Sequence, residues 1–587
     1  MTPRLLAPLA VAAVLAACAP GPDEAASGWT LPAGAAPARS NGGMVATTDR
    51  VASEIGAEIL RRGGNAVDAA VAIHFALAVI NPEAGNLGGG GFLVIHTADG
   101  VSAALDFRET APARASRDMY LDSLGEVTEN SVAGHLASGV PGSVAGMYEA
   151  HRRFGSLPWP ELVQPAIHLA EGVVVHERLA SSLGRYADRL REYAATEAAF
   201  LPGGEPPRVG DRFSQPDLAA TLGRVAAEGS DGFYRGRTAE LIVAEMEQGG
   251  GLITQQDLAA YRAVWRTPVS FTYRGHRVIS MPPPSSGGAT LGEILKILEG
   301  YELAESGHHS PRHIHLFSEA AKRGFADRNA YLADPDFVAQ PVARMVSEGY
   351  ADRRRARIQA GRATPSEEVS PGLGPAPGAG GASESEHTTH YSVLDAAGNA
   401  VAVTTTINSL YGSRVTVAGA GFLLNNEMDD FTSKPGVPNQ FGLVQGAANE
   451  IEPGKRMLSA MTPTIVLGPD GGVRLITGSP GGPTIITTVA QLISNLVDFG
   501  MTLEEATRAP RLHHQHLPDV LRYEVNGVAP AVVAELERMG HRVEERGGYQ
   551  GDAQSIGILP DGVRLGVADP RRGGAAVGVR VAREVVQ

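Results

Sequence analysis

An abrupt change of character at Thr388 constrains this chain more than any other feature. Residues 361–387 read GRATPSEEVSPGLGPAPGAGGASESEH, the pattern of a low-complexity, flexible, exposed linker. Order resumes at once in TTHYSVLD and NAVAVTTTIN, two strands around the turn Ala396-Ala397-Gly398. The strands in this part of the chain have alternating or continuous apolar character. A second hairpin, TPTIVLGPDGGVRLITGS, turns at Pro469-Asp470-Gly471, and an apolar helix is expected over 485–499. Upstream, residues 51–80 read as two helices broken at Gly63-Gly64, the second apolar nearly all round and therefore buried. FLVIHTADGVSAALDF is a hairpin turning at Ala98-Asp99-Gly100, and residues 143–260 and 289–360 are mainly helical in pattern. Between them HRVISMPPPSSGG is a strand entering a loop stiffened by three prolines. Strands of this kind mixed with buried helices predict an α+β chain of stacked sheets covered by helices.

The first residues, MTPRLLAPLAVAAVLAAC, place Arg4 before an apolar run and small residues, as in a secretory signal. Leu15-Ala16-Ala17-Cys18 resembles a bacterial lipoprotein box, with 1–17 as signal peptide and Cys18 as the lipid-bearing residue. Cys18 is the sole cysteine, so no intramolecular disulfide is possible. Ala19, rather than Asp, follows it, resembling the outer-membrane sorting pattern of an envelope, periplasm-facing lipoprotein in a Gram-negative bacterium. Residues 18–40 are expected to be a flexible tether, with the globular part starting near Asn41. No later stretch reaches the roughly 20 apolar residues of a spanning helix. The net charge of −14 and the lack of a Lys/Arg run exclude a nucleic-acid partner.

A threonine hydroxyl is a weak nucleophile without a neighbouring base. At a chain N-terminus it carries one, because the α-amine has a pKa of about 8. Cleavage between His387 and Thr388 would create that amine. On spacing alone, Thr388 reads as an ordinary threonine opening a strand. By the same standard Arg108 reads as a surface ion pair, Glu427 and Asp430 as a solvated loop, and Gly481-Gly482 as a turn before a helix.

The motifs taken together change that reading. Thr388-Thr389-His390-Tyr391-Ser392-Val393 is followed by Gly398-Asn399-Ala400-Val401-Ala402-Val403-Thr404, Thr406 and Asn408. Asn425-Asn426-Glu427-Met428-Asp429-Asp430-Phe431 and Thr477-Gly478-Ser479-Pro480-Gly481-Gly482 come next, with Leu105-Asp106-Phe107-Arg108-Glu109 upstream. In this order, and over nearly the whole chain from about residue 41, they resemble the gamma-glutamyltransferase family.

That resemblance implies a four-layer αββα N-terminal-nucleophile hydrolase fold. It implies self-processing into a large subunit, 41–387, and a small catalytic subunit, 388–587, held as a heterodimer. Thr388 matches the nucleophile, and Thr406 the threonine that orients it. Arg108 matches the arginine that binds the substrate α-carboxylate, with Ser459 adding a hydroxyl. Asn408, Glu427 and Asp430 match the group around the α-ammonium, and Gly481 and Gly482 the oxyanion-stabilising pair. The substrates implied are glutathione and other gamma-glutamyl compounds, with water, an amino acid or a dipeptide as acceptor. No cofactor is implied.

Two positions depart from the common pattern. Ser459-Ala460 stands where many members have two serines, and Phe441 where many bacterial members have a lid tyrosine. A phenylalanine covers a substrate but cannot hydrogen-bond to Asn408. Two other readings compete: a glutaryl-type acylase, whose substrate has no ammonium, and a non-catalytic envelope lipoprotein that uses the fold for binding. The histidines His308, His309, His313 and His315, and His513, His514 and His516, have no cysteine or obvious carboxylate to complete a metal set and read as structural. The glycine-rich run 85–91 lacks the Lys-Ser/Thr of a nucleotide loop and reads as a structural turn.

Overall fold

A computed structural model of the chain describes residues 29–374 and 388–580, apart from 438, 441 and 444. Two seven-stranded sheets form its centre. One runs Ala575–Gly578, Met44–Thr47, Thr389–Leu394, Ala400–Thr406, Gly90–His96, Ser102–Asp106 and Val264–Arg266 in spatial order, antiparallel throughout. The other runs Ala38–Ser40, Arg564–Ala568, Gln554–Ile558, Val473–Thr477, Thr464–Leu467, His276–Ser280 and Val269–Tyr273.

The period of two along each strand sorts its side chains between layers. Tyr391 and Val393 point outward into a core shared with the helix Ala66–Ile80. Leu394, Ala400 and Ala402 point the other way, onto Ile465, Ile476 and Ile556 of the second sheet. The second sheet's outer face, with Val278, Val466 and Leu475, packs on the helices Gly287–Leu298, Pro311–Tyr331 and Thr484–Val497. The molecule is therefore helix, sheet, sheet, helix, the αββα order expected. All residues of Ala66–Ile80 are buried, as its all-round apolarity predicts. Asn65 starts it with a capping box, accepting from Val67 N and Asp68 N while Asp68 bonds back to Asn65 N.

Two boundaries differ from expectation. The tether placed over 18–40 ends earlier, because Ala38–Ser40 pairs with Arg564–Ala568 at the sheet edge. Before it, the Trp29 ring packs edge-on against Tyr549. The linker placed over 361–387 is also not uniform. Ala363, Ser366 and Val369 are buried, and Glu319 accepts from Thr364 N at 3.0 Å and Thr364 Oγ1 at 2.6 Å. The cause is remote in sequence: Glu319, Lys322 and Arg323 are buried on one helix, and Thr364 supplies polar partners to all three. Residues 375–387, including His387, and the expected lipidation and lid residues Cys18 and Phe441 lie outside the described residues.

The glycine run is indeed structural. A Cβ at Gly88 would come within 2.2 Å of Leu423 O, and one at Gly89 within 2.1 Å of Thr406 O. Backbone packs on backbone there, which only glycine permits.

Candidate active site

Thr388 sits one residue before the strand Thr389–Leu394, in register beside Ala400–Thr406, whose last residue is Thr406. Sheet pairing thus brings the two threonines to the same end of neighbouring strands. Thr406 Oγ1 accepts from Asn408 N at 2.8 Å, and Thr406 O accepts from Asn86 Nδ2 at 3.0 Å. Asn408 has φ of +73°, a left-handed conformation that asparagine tolerates better than other side chains. Its Nδ2 donates to Asn426 O at 3.0 Å, tying the strand end to the 3-10 turn Glu427–Asp430.

Thr388, Thr406, Asn408, Glu427, Asp430, Arg108, Ser459 and Gly482 line one cavity. Residues separated by more than 300 positions in sequence therefore meet at one point. Ala460 lines it too, where a second serine would have added a hydroxyl.

Arg108 follows the strand Ser102–Asp106 and is 1% exposed. Its NH1 donates to Glu427 and its NH2 to Asp430, while Nε donates to Met457 O at 3.2 Å. Glu109 Oε2 lies 3.6 Å from Arg108 NH1. Burial opposes the guanidinium's charge, but Glu427 and Asp430 outweigh it and hold its pKa above the ordinary value. Burial raises Glu427 to about 8, against the pull of Arg108, and it raises Asp430 and Glu109 as well. The cationic and anionic groups expected to clamp a substrate are thus side by side, and they bond to each other.

Ser459 is held by the proline-stiffened loop. Its N–H donates to Pro284 O at 2.9 Å, and its carbonyl accepts from Ser286 N at 2.7 Å and Ser286 Oγ at 2.6 Å. Gly481 and Gly482 have φ of +133° and +54°, and a Cβ on Gly481 would come within 2.3 Å of Thr484 Oγ1. Thr484 N and Oγ1 both bond Gly481 O, at 3.0 and 2.6 Å, and so turn the loop into the helix Thr484–Val497. Gly482, Pro483 and Ile485 place that helix's N-terminus on the cavity wall, where its dipole favours negative charge.

Arg328, in the last turn of Pro311–Tyr331, lines the same cavity and was not anticipated. In sequence it sits among ordinary helix charges (Lys322, Arg323, Asp327), and nothing local marks it as facing inward.

The histidines are engaged within the protein. His315 bonds His541 at 2.8 Å, His513 bonds Thr487 at 2.8 Å, and His514 reaches Asp519 at 3.2 Å. His516 bonds Ser366 O at 2.9 Å, and the rings of His308, His309 and His313 pack together. Among the described residues no group of three or more His, Cys, Asp or Glu is placed to hold a metal.

The sequence model of the gamma-glutamyltranspeptidase family matches residues 52–579. The chain belongs to that family. It is 49% identical over 539 residues to the glutathione hydrolase proenzyme of Escherichia coli (strain K12), covering 91% of each chain. Against the glutathione hydrolase proenzyme of Pseudomonas aeruginosa it is 47% identical over 553 residues, 92% of this chain and 95% of that one. The fold is similar to that of a cephalosporin acylase from Bacillus halodurans, with a TM-score of 0.82 and 27% identity over 95% of this chain and 99% of that one. Of the residues expected at the site, Arg108, Thr388, Thr406, Asn408, Glu427, Asp430, Ser459 and Gly482 line the cavity, and Gly481 belongs to the loop that begins the cavity-wall helix.

Proposed function

We propose that the chain is a gamma-glutamyl transpeptidase and glutathione hydrolase, made as a precursor and cut between His387 and Thr388. One observation carries this reading: Arg108 and the carboxylates of Glu427 and Asp430 share a cavity with Thr388. A gamma-glutamyl group bears a carboxylate and an ammonium on one carbon, and this pairing of charges is complementary to both. On this reading Arg108 and Ser459 take the carboxylate, while Asn408, Glu427 and Asp430 surround the ammonium.

Thr388 Oγ then attacks the gamma-carbonyl, and its own α-amine takes the hydroxyl proton. Thr406, oriented by Asn408 N, steers the nucleophile. The tetrahedral oxyanion meets the N–H groups of Gly481 and Gly482 at the positive end of the helix Thr484–Val497. The amine passes the proton to the leaving nitrogen, the C–N bond breaks, and a gamma-glutamyl ester remains on Thr388. Water or an amino group of an acceptor attacks that ester and restores the threonine. No step calls on a cofactor.

A glutaryl-type acylase is the second reading, favoured by the structural likeness to a cephalosporin acylase. A glutaryl group lacks the ammonium, so it would bring no cation to the Glu427 and Asp430 carboxylates. Turnover of a gamma-glutamyl anilide against a glutaryl anilide decides between them, and faster glutaryl cleavage would overturn the assignment. Lipidation at Cys18, placing the enzyme at the envelope surface, belongs to the same proposal. Cys18→Ala should move the protein from the membrane fraction to the soluble one.

A further inference from the structure

Arg108 is already answered by protein carboxylates; Arg328 is not. Its guanidinium is 1% exposed and bonds to neutral oxygens: Ser286 Oγ at 2.9 Å, Asn329 Oδ1 at 2.9 Å and Gln445 Oε1 at 3.5 Å. Among the described residues, Asp430 is the carboxylate whose charge reaches it, and Asp430 is bonded to Arg108 NH2. Burial draws Arg328 down to about 10, which leaves it cationic at neutral pH. A buried cation lacking a close counter-ion is unfavourable until an anion arrives.

Its position matches that need. Arg328 and Thr388 line one cavity. Ser286, which accepts from Arg328, donates through both N–H and hydroxyl to Ser459 O. Arg328 is thereby fixed behind the same serine that is expected to reach the substrate carboxylate. Arg108 is bonded to Glu427 and Asp430, whereas Arg328 lines the cavity and, among the described residues, is bonded to neutral oxygens alone. A donor carboxylate supplies the counter-charge Arg328 lacks, and a donor without one does not.

We infer that Arg328 is a second cationic specificity determinant, selecting donors with a free carboxylate on the carbon that bears the ammonium. The inference rests on the gamma-glutamyl reading and deepens it.

The test compares kcat/KM for a gamma-glutamyl anilide and for the same anilide with its α-carboxylate converted to carboxamide. Wild type, Arg328→Gln, Arg328→Lys and Ser286→Ala are measured side by side. Arg328→Gln should reduce the preference for the carboxylate donor by about tenfold or more, chiefly through KM. Arg328→Lys keeps the charge and should hold the preference within about threefold. Ser286→Ala removes the oxygen that fixes Arg328 and one bond to Ser459, and should lower the preference part-way, by less than Arg328→Gln does.

Equal losses on both donors in Arg328→Gln would overturn the inference. So would a full collapse of the ratio in Arg328→Lys or an unchanged ratio in Ser286→Ala, and these two decide the matter if Arg328→Gln does not mature. A wild type that cleaves neither anilide would instead overturn the gamma-glutamyl reading itself.

Discussion

On the proposed mechanism Thr388 has its own base only when its amine is free, so the reaction depends on prior cleavage before that residue. Intact-mass measurement of wild type should give two fragments, the smaller beginning Thr-Thr-His-Tyr, whereas Thr388→Ala should stay whole and inert. Glu427 offers a second residue-scale expectation. Burial raises its carboxyl to about 8, with Arg108 opposing and Asp430 adding to the rise. An acid whose pKa is raised stays neutral up to that value, so its attraction for the donor ammonium grows as pH climbs through about 8. The Thr388 amine, with an ordinary pKa of about 8, also becomes a base in that range. The rising limb of kcat/KM against pH should therefore contain two ionisations in wild type and one in Glu427→Gln. An unchanged limb in the variant would remove Glu427 from substrate binding. Much at this scale was legible: Thr388, Thr406, Asn408, Glu427, Asp430, Ser459 and Arg108 were placed by motif before any geometry. Arg328 was not, because a charged residue on a helix looks the same in sequence whether it meets water or a cavity.

At the scale of elements, the turn from the strand Val473–Thr477 into the helix Thr484–Val497 does the positioning. Gly481 combines a φ of +133° with a site where a Cβ would come within 2.3 Å of Thr484 Oγ1. Gly481→Ala should therefore re-aim the loop and lower kcat by about a hundredfold, while KM changes little, since an oxyanion donor acts mainly in the transition state. A comparable rise in KM alone would assign the glycine to substrate fit. The helix Ala66–Ile80 lies further from the chemistry and tests the scaffold. Removing its capping box with Asn65→Ala should cost about 1 kcal/mol in denaturant unfolding with kcat preserved. These elements were readable because their turn and cap residues are local signals. The packed run 361–374 was misread for the opposite reason: its partners Glu319, Lys322 and Asp519 are distant in sequence, and composition does not encode a remote demand for hydrogen bonds.

For the molecule as a whole, the position of the proposed cut relative to the sheets matters most. Thr389–Leu394 and Ala400–Thr406 lie between Met44–Thr47 on one side and Gly90–His96 on the other. In the second sheet, Thr464–Leu467 pairs with His276–Ser280, again joining the two sides of residue 387. The processed fragments should therefore co-elute as one particle in native buffer and separate only in denaturant; separation in mild salt would contradict this interleaving. By itself the sequence determined the order of elements, the four-layer class, the family and the polar residues at the cavity other than Arg328. Hydrophobic period, turn residues and short motifs are local properties that survive without coordinates. The tertiary structure alone decided that Arg108 is bonded to Glu427 and Asp430, that Arg328 enters the same cavity, and that Ala363, Ser366 and Val369 of an apparent linker are buried. Each of these is a meeting of charges or polar groups from separate segments, and their partnership exists only once burial has removed the water that would otherwise serve each of them.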